Sequence, residues 1–216
     1  MKRLKLKCLT IAPAAPAYPA KTIKIIVPFA PAGPNDLIAR VVGQKLSDTW
    51  GQAVVIENRG GAGGTIGVEA GAKSPADGYT LVMGGSSSLA VAPGLYPKLP
   101  YDARDMTAVS NVAIVPYAVA VNPHVPAKTV RDLIAASKAQ KGGLSFGSSG
   151  AGSMSHLAAE LLRAEGGANL LHVPYKGTAP AMTDTIAGQI DMMIADYAAL
   201  APFEKTGKLR LLAVAG

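Results

Sequence analysis

The segment IKIIV (23–27), followed by the turn PFAPAGPN (28–35) and by DLIARVVGQKLSDTW (36–50), decides the fold. The first five residues form a short apolar run, rich in β-branched side chains and ended by Pro28, which predicts a buried parallel strand. The apolar residues of 36–50 recur at helical spacing and Gly51 follows them, so we predict a helix there. A strand that leads through a Gly/Pro turn into an amphipathic helix begins a β-α unit.

The same alternation continues along the chain and restarts after a less regular middle. Further strands are predicted at 53–58, 79–85, 144–149, 170–175, 190–196 and 209–215, and further helices at 65–73, from 129, at 153–165, from 178 and at 198–206. Thr129 to Asp132 form a capping-box pattern at the start of one of these helices, and Thr178 is the predicted cap of another. Residues 86–106 are predicted as loops, and 109–123 as one long β-rich run that bridges two lobes. The pattern predicts an α/β protein of two units, each with a parallel sheet covered by helices.

Composition narrows the class of protein. Hydrophobic residues make up 49% of the chain, which excludes disorder, and aromatic residues only 5%, which argues against stacking on nucleic-acid bases. The formal charge of +7 falls to +3 without the four basic residues that precede residue 18. We therefore expect no nucleic-acid partner and only a mild preference for anionic ligands.

Residues 1–17 (MKRLKLKCLTIAPAAPA) have a basic start, a short apolar run and a small-x-small site at 15–17. This pattern predicts a secretory signal, with a frayed N-terminal tail as the alternative. Cys8 lies inside it, so a chain that begins at Tyr18 has no cysteine for a disulfide. No later stretch has 18 uncharged apolar residues, so no membrane span is predicted.

Motifs typical of enzymes are missing from the sequence. His124, His156 and His172 stand at no metal-ligand spacing, and the sequence has neither G-x-S-x-G nor a GK[ST] phosphate loop. The Gly61–Gly67 turn nearly matches a dinucleotide motif, but the next strand ends in Met83-Gly84 and not in an acid for a ribose. We predict no enzyme, cofactor or metal, and keep a nucleotide-dependent enzyme at this turn as the alternative.

The turns that follow the strands carry the predicted binding chemistry, because ligands of parallel sheets lie at the carboxyl ends of strands. Each such turn presents unpaired N–H groups and the positive end of a helix dipole, which together favour an anion. GSSGAGS (147–153) fits best, since capping a helix requires one serine and not three among glycines. The weaker candidates are PFAPAGPN (28–35), where two prolines remove donors, and GGSSS (84–88), which is equally consistent with a plain polar loop.

At these residues the chain resembles a known family. The motifs that carry the resemblance are YPAKTIKIIVPFAPAGPNDLIAR (18–40), VVIENRGGAGGTIG (54–67), ADGYTLVMG (76–84), LYPKLPYD (95–102), VNPHVPAKTVRDLIA (121–135), GSSGAGSMSHLAAELL (147–162) and HVPYKGTAPAMTD (172–184). They resemble the Bug-type (TctC-like) periplasmic receptors of tripartite tricarboxylate transporters, and the likeness runs from Tyr18 to the end.

The resemblance implies a Venus-flytrap fold whose lobes close on a small carboxylate, such as a di- or tricarboxylate, an amino acid or an aromatic acid. It also implies a periplasmic, monomeric receptor that docks on the membrane subunits of a tripartite transporter. We expect a first lobe at 18–123 and a second at 124–216. The expected ligand contacts are Phe29, Ala32, Gly33, Asn35, Ser86, Ser88, Ser148, Ser149, Gly150, Gly152, Ser153 and Asp196, the last for a ligand amino or hydroxyl group or, equally, as a helix cap.

Two departures from the family pattern stand out. Its first turn usually has a pair of glycines before a small hydroxyl residue, where this chain has Ala32-Gly33-Pro34-Asn35, and Pro34 has no N–H to donate. Family members also continue beyond the point that corresponds to Gly216, so we expect a C-terminally truncated chain with an incomplete first lobe. A non-transporting sensor or a remnant is therefore a third hypothesis.

Overall fold

The first sheet contains three parallel strands in the order β2–β1–β3. A computed structural model of the chain describes residues 18–215, so the predicted signal at 1–17 lies outside the described residues. The strands are β1 (Ile23–Val27), β2 (Val54–Asn58) and β3 (Thr80–Val82). Ile25 pairs with Ile56 on one side and Leu81 on the other, and packs with Val27 and Ala39 in the core of this lobe.

Helices and tight helical turns cover the first sheet. The helices are α1 (Pro34–Trp50), α2 (Thr65–Ala72) and α3 (Ala92–Leu95), with 3-10 turns at Ala62–Gly64 and Ala103–Asp105 and a π-helical turn at Ser87–Val91. The first helix begins two residues earlier than predicted, because proline suits the first turn of a helix. It ends at Gly51, whose φ of 64° gives the left-handed C-cap expected of glycine.

The second sheet has five strands in the order β6–β5–β7–β4–β8. They are β4 (Tyr117–Val121), β5 (Leu144–Ser148), β6 (Leu170–Pro174), β7 (Met192–Asp196) and β8 (Arg210–Val214), and the helices beside them are α4 (Val130–Ala139), α5 (Met154–Gly166), α6 (Thr178–Ile186) and α7 (Tyr197–Lys205). All strands run the same way except β4, which is antiparallel to β7 and β8. Phe146, Leu133 and Met192 are fully buried between this sheet and its helices. The predicted two-lobed α/β fold with mainly parallel sheets is confirmed.

The predicted long strand at 109–123 is wrong. Only Tyr117–Val121 is a strand, and it pairs with β7 and β8 of the second sheet, although we had placed it in the first lobe. Residues 107–116 pair with no strand of the described chain, and Val109 and Ile114 are exposed. Without a neighbouring strand a β-rich run has no ladder of hydrogen bonds, and Pro116 cannot donate to one.

Only some of the helix caps are formed by the residues that the sequence predicts. Thr129 and Asp132 form the expected capping box at the start of α4. The predicted cap of α6, Thr178, is instead its first residue, and Gly177 occupies the N-cap position without a side chain to bond the helix. Between residues 18 and 215, no helix is both long and apolar enough to cross a bilayer.

Candidate ligand-binding site

A small cavity lies where the carboxyl ends of the two sheets face each other. Its volume is about 20 Å³, which is room for roughly one water molecule. Both lobes contribute to its wall, which consists of Phe29, Gly33, Pro34 and Asn35 from the first lobe and Tyr117, Ser149, Thr178 and Asp196 from the second. Five of the twelve predicted site residues therefore share one cavity. Pro34, Tyr117 and Thr178 were not among the predicted contacts.

The start of α1 forms much of the first-lobe wall of the cavity. The first backbone N–H groups of this helix have no hydrogen-bond acceptor in the described chain. Gly33 at the N-cap has no side chain to accept a hydrogen bond, and Pro34 has no N–H. The helix's own hydrogen bonds begin with Leu37 N, which donates to Gly33 O at 3.1 Å. Within residues 18–215 the backbone N–H groups of Asn35 and Asp36 donate to no acceptor. This end of α1 can therefore bind an anion through backbone donors and the helix dipole.

Asp36 stabilises the turn that precedes α1. Its carboxylate is 2% exposed and accepts hydrogen bonds from Ala32 N at 2.9 Å, Arg40 Nε at 2.9 Å and Asn58 Nδ2 at 3.0 Å. Ala32 adopts a left-handed φ of 62°, which this bond helps to hold. Burial opposes ionisation of Asp36, but the hydrogen bonds from Arg40, Ala32 and Asn58 outweigh it and lower its pKa. Ala32 thus supports the turn and does not line the cavity.

The second-lobe wall includes the start of α6, which also lacks a cap. Gly177 precedes it with no side chain, and Thr178, 9% exposed, lines the cavity. No acceptor in the described chain bonds the N–H groups of Thr178 and Ala179. The starts of α1 and α6, one from each lobe, therefore meet at the same cavity. The sequence analysis noted Gly177 only as part of a motif and did not single out the start of α6 as a candidate for anion binding.

The serine–glycine turn (147–153), on which the sequence analysis relied most, uses its own donors. Ser149 N donates to Ser155 Oγ at 2.9 Å, Gly150 N to Ser148 Oγ at 3.1 Å, Gly152 N to His156 Nδ1 at 3.1 Å and Ser153 N to Gly150 O at 3.1 Å. Ser153 caps α5 by accepting from His156 N. Only Ser149 of this turn lines the cavity. The capping alternative describes Ser153 better than the ligand-contact prediction does.

The remaining predicted contacts lie elsewhere. Ser86 is exposed and does not line the cavity. Ser88 is fully buried, and its backbone carbonyl accepts a hydrogen bond from the Tyr101 hydroxyl at 2.6 Å. Between them, Ser87 joins the lobes, because its Oγ accepts from Met154 N of α5 at 3.0 Å. The serine cluster at 86–88 therefore contributes to the fold and to the contact between the lobes.

Asp196 and Tyr117 form the floor of the cavity on the second lobe. They are cross-strand partners of β7 and β4, so both side chains stand at the same edge of the sheet. Asp196 occupies the N-cap position of α7, yet its side chain makes no capping hydrogen bond. Burial raises the pKa of Asp196, and burial together with the Asp196 charge raises the pKa of Tyr117. The geometry thus favours the ligand alternative for Asp196 over the helix cap.

Glycines form the contact between the two lobes around this cavity. A Cβ built on Gly63 would lie 2.8 Å from Ala151 O, one on Gly60 2.6 Å from Lys176 O, and one on Gly177 2.9 Å from Ala30 N. Ala30 N also donates to Lys176 O across the interface at 3.0 Å. These backbones approach so closely that no side chain fits between them. Of the three glycines in the near-dinucleotide motif, Gly63 is the one used against the other lobe, whereas Gly61 and Gly67 face Ile66 and Pro28 of their own lobe.

The comparison with family models decides the class of the protein. The model described as "Tripartite tricarboxylate transporter family receptor" (TctC) matches residues 38–216. The chain belongs to this family. Its members are periplasmic solute-binding receptors and not enzymes, so the nucleotide-dependent enzyme alternative is wrong.

Individual relatives agree with this assignment. Protein BugT of Bordetella pertussis is 43% identical over 202 residues, which cover 93% of this chain and 62% of BugT. The structure of the periplasmic binding protein BugD matches with 34% identity and a TM-score of 0.85, covering 91% of this chain and 66% of that one. MatC from Rhodopseudomonas palustris with bound malate matches with 30% identity and a TM-score of 0.87, covering 92% and 68%. The chain thus spans somewhat less than two thirds of the length of the relative BugT.

Proposed function

We propose that this chain is a periplasmic receptor that closes its two lobes on a small carboxylate and delivers it to a tripartite tricarboxylate transporter. The observation that carries the proposal is the meeting of two uncapped helix starts, α1 and α6, at one cavity. Each lobe supplies only half of the donors. A ligand bound to both helix starts therefore holds the lobes together, which couples binding to closure.

The donors at the cavity suit a carboxylate without any basic side chain. No Lys or Arg is among the wall residues, so the positive potential comes from the starts of α1 and α6. Asn35 and Thr178 line the cavity, and the N–H groups of the next residues, Asp36 and Ala179, are also unpaired in the described chain. A charge-assisted hydrogen bond contributes about 1.5–3 kcal/mol net. Four or five such bonds, less the cost of association, leave roughly −8 kcal/mol, which corresponds to micromolar affinity. Malate, the ligand of MatC, is a small carboxylate of this kind.

The size of the cavity supports closure as part of the mechanism. At about 20 Å³ it is too small for a dicarboxylate, since even one water needs most of that volume. A ligand therefore has to enter an opened cleft, and its carboxylate then occupies the space between the helix starts. The glycine contacts at Gly60, Gly63 and Gly177 set how far the lobes can close.

Asp196 sets a second requirement on the ligand. Its carboxyl lies at the cavity and makes no capping bond, so it is available to accept from a ligand ammonium or hydroxyl group. A ligand with only carboxylates meets Asp196 as a neighbouring acid, which is tolerated only if Asp196 is protonated. Amino acids and hydroxy acids suit both the helix starts and Asp196, because each carries a carboxylate together with an ammonium or hydroxyl group.

A thermal-shift and calorimetry screen tests the proposal. The chain is screened against dicarboxylates, hydroxy acids, amino acids, aromatic acids and nucleotides. We expect stabilisation by one or more acids and none by nucleotides. If no carboxylic acid stabilises the chain, the receptor proposal fails and the non-transporting sensor or remnant gains support.

Variants of the wall separate the ligand contacts from their neighbours. Thr178→Val and Ser149→Ala remove the hydroxyls of two residues that line the cavity, and each should weaken binding of the stabilising acid several-fold. Ser86→Ala is the matched control, because Ser86 is exposed and outside the cavity. Equal affinities for Thr178→Val and Ser86→Ala would place the ligand elsewhere. Delivery is tested by uptake of that acid in cells that carry the transporter's membrane subunits.

A further inference from the structure

Three aromatic rings are stacked directly behind the serine–glycine turn. The ring centroids of His172 and His156 lie 4.0 Å apart with an interplanar angle of 14°, and Phe146 stacks on His172 at 4.7 Å and 18°. The residues come from three elements, β5, β6 and α5. His172 therefore lies between Phe146 on one side and His156 on the other.

Each imidazole bonds a different part of the turn. His156 Nδ1 accepts from Gly152 N at 3.1 Å. His172 Nε2 lies 2.6 Å from Ser148 Oγ, which itself accepts from Gly150 N at 3.1 Å. Ser148 Oγ has a second lone pair as well as its own hydrogen, so it can accept from His172 Nε2 or donate to it, according to the tautomer of His172. The bond from Gly152 N, in contrast, needs an unprotonated Nδ1 of His156.

The glycines bonded in this way are also the ones that touch the first lobe. Gly150 and Gly152 have φ values of 133° and 75°, which other residues rarely adopt. A Cβ on Gly150 would lie 3.0 Å from Gly63 N, and one on Gly152 would lie 2.7 Å from the Tyr96 hydroxyl. A shift of a few tenths of an ångström in this turn therefore changes the fit between the lobes.

We infer that His156 and His172 are positioning residues that hold the serine–glycine turn in the shape the closed lobes require, and that protonation of His156 loosens closure. The inference extends the proposed closure mechanism, but it makes no use of the ligand. Protonated His156 loses its acceptor for Gly152 N.

Burial and the neighbouring imidazole favour the neutral form of His172. Burial, followed by the neighbouring His156, lowers the pKa of His172 to about 4, and Glu160 opposes this shift. Glu160 lies 3.6 Å from His156 Nε2, but it also binds Arg163 at 2.9 Å, which takes up part of its charge. From the first lobe, the Tyr96 hydroxyl faces the turn and lies 3.4 Å from Ala151 O. A neutral His172 is thus favoured from neutral pH down through the range in which free histidine titrates.

The distance between the lobes is the readout that tests the inference. Spin labels are attached at Lys45→Cys on α1 and Arg131→Cys on α4, in a Cys8→Ser background and without ligand. For the wild-type pair of histidines we expect a short distance at pH 7.5 that lengthens as the pH falls toward 4.5. His156→Phe and His172→Phe keep a ring in the stack but remove the bond, so both should show the longer distance already at pH 7.5 and a flatter pH profile.

Controls and a second measurement keep the test decisive. His124→Gln changes a histidine of the same lobe that bonds Asn122 and Asp191 and not the turn, so its pH profile should match the wild type. If the wild-type distance is independent of pH, or both Phe variants match it throughout, the inference is overturned. Should a variant fail to fold, nitrogen NMR of the wild-type histidines decides: a proton on Nδ1 of His156 at pH 7.5 would contradict it. Failure of the acid screen alone leaves these outcomes unaffected.

Discussion

The start of α1 and the start of α5 follow equivalent strands of the two lobes, yet they use their backbone donors in opposite ways. At α1, the turn 28–33 contains no hydroxyl side chain, and the N–H groups of Asn35 and Asp36 stay unpaired. At α5, Ser148, Ser153 and Ser155 accept the donors of their own turn. The serine-rich turn therefore pairs most of its donors with its own side chains, whereas the start of α1 leaves two donors unpaired within the described chain.

The difference lies in what a short polar side chain does beside a helix start. A serine hydroxyl within two or three residues accepts a backbone N–H and removes one donor from the set available to a ligand. Glycine and proline at the same positions cannot do so. α6 resembles α1 in this respect, because Gly177 precedes it. Serine and glycine in one turn thus have opposite consequences for anion binding, although both are common in anion-binding motifs.

The largest expected effect, on the stability of the fold, comes from removing the Asp36 side chain that supports the turn before α1. Asp36→Ala removes a buried carboxylate that accepts from Ala32, Arg40 and Asn58. We expect a loss of about 3 kcal/mol in the free energy of unfolding, since three donors lose their partner. Urea denaturation measures it, and Glu69→Ala, which breaks an exposed pair with Lys73, is the control with a loss of about 0.5 kcal/mol or less.

The same carboxylate also predicts a pH dependence. Because the folded pKa of Asp36 is lowered, its stabilisation is present above the unfolded value near 3.8 and is lost as the pH falls below it. The difference between wild type and Asp36→Ala should therefore shrink in acid. A difference that grows as the pH falls would contradict this assignment.

A smaller effect is expected from a change at the start of α6. Gly177 has an extended backbone that accepts alanine, but the added Cβ would lie 2.9 Å from Ala30 N and 3.0 Å from Ala30 Cβ in the other lobe. Gly177→Ala should therefore keep the lobes apart and weaken ligand binding at least tenfold, or about 1.4 kcal/mol. Small-angle scattering should give a larger radius of gyration. Gly94→Ala is the control, because a Cβ there meets nothing within 4 Å, and an unchanged affinity for Gly177→Ala would argue against closure at this contact.

The start of α5 should respond in the opposite sense. Ser153→Ala removes its cap and should cost about 1 kcal/mol of stability, with the affinity for the stabilising acid unchanged once the chain is folded. Thermal denaturation and calorimetry on one preparation measure both quantities. A large loss of affinity with little loss of stability would restore the serine–glycine turn as the ligand contact.

Sequence reasoning reached the fold and part of the site for identifiable reasons. The run at 23–27 is a strand with the predicted bounds, because five apolar residues ended by proline allow few alternatives. The capping pattern at Thr129 likewise appears as predicted. The run at 109–116 failed because strand formation depends on a partner strand, which local pattern does not reveal.

The candidate site shows the same limit. The importance of Asp36, Tyr117 and Thr178 depends on which elements meet, and not on any local motif. For Asp36 the sequence contains one indication, an acidic residue in the first turn of a predicted helix, and this residue proves to be buried. For Tyr117 it contains none, because the place of Tyr117 beside Asp196 follows from the antiparallel pairing of β4 with β7.

The smallest expected effect comes from a substitution that adds a backbone N–H donor at the start of α1. Pro34 lines the cavity at the first position of α1 but has no N–H. Pro34→Ala supplies that N–H beside those of Asn35 and Asp36, so we expect the stabilising acid to bind about three-fold more tightly, near the lower end of what one hydrogen bond contributes. The unfolded chain gains freedom at the same time, which should lower stability by about 0.5 kcal/mol. Calorimetry and denaturation together should thus show affinity and stability moving in opposite directions, and a weaker affinity would mean that the carboxylate does not reach the first turn of α1.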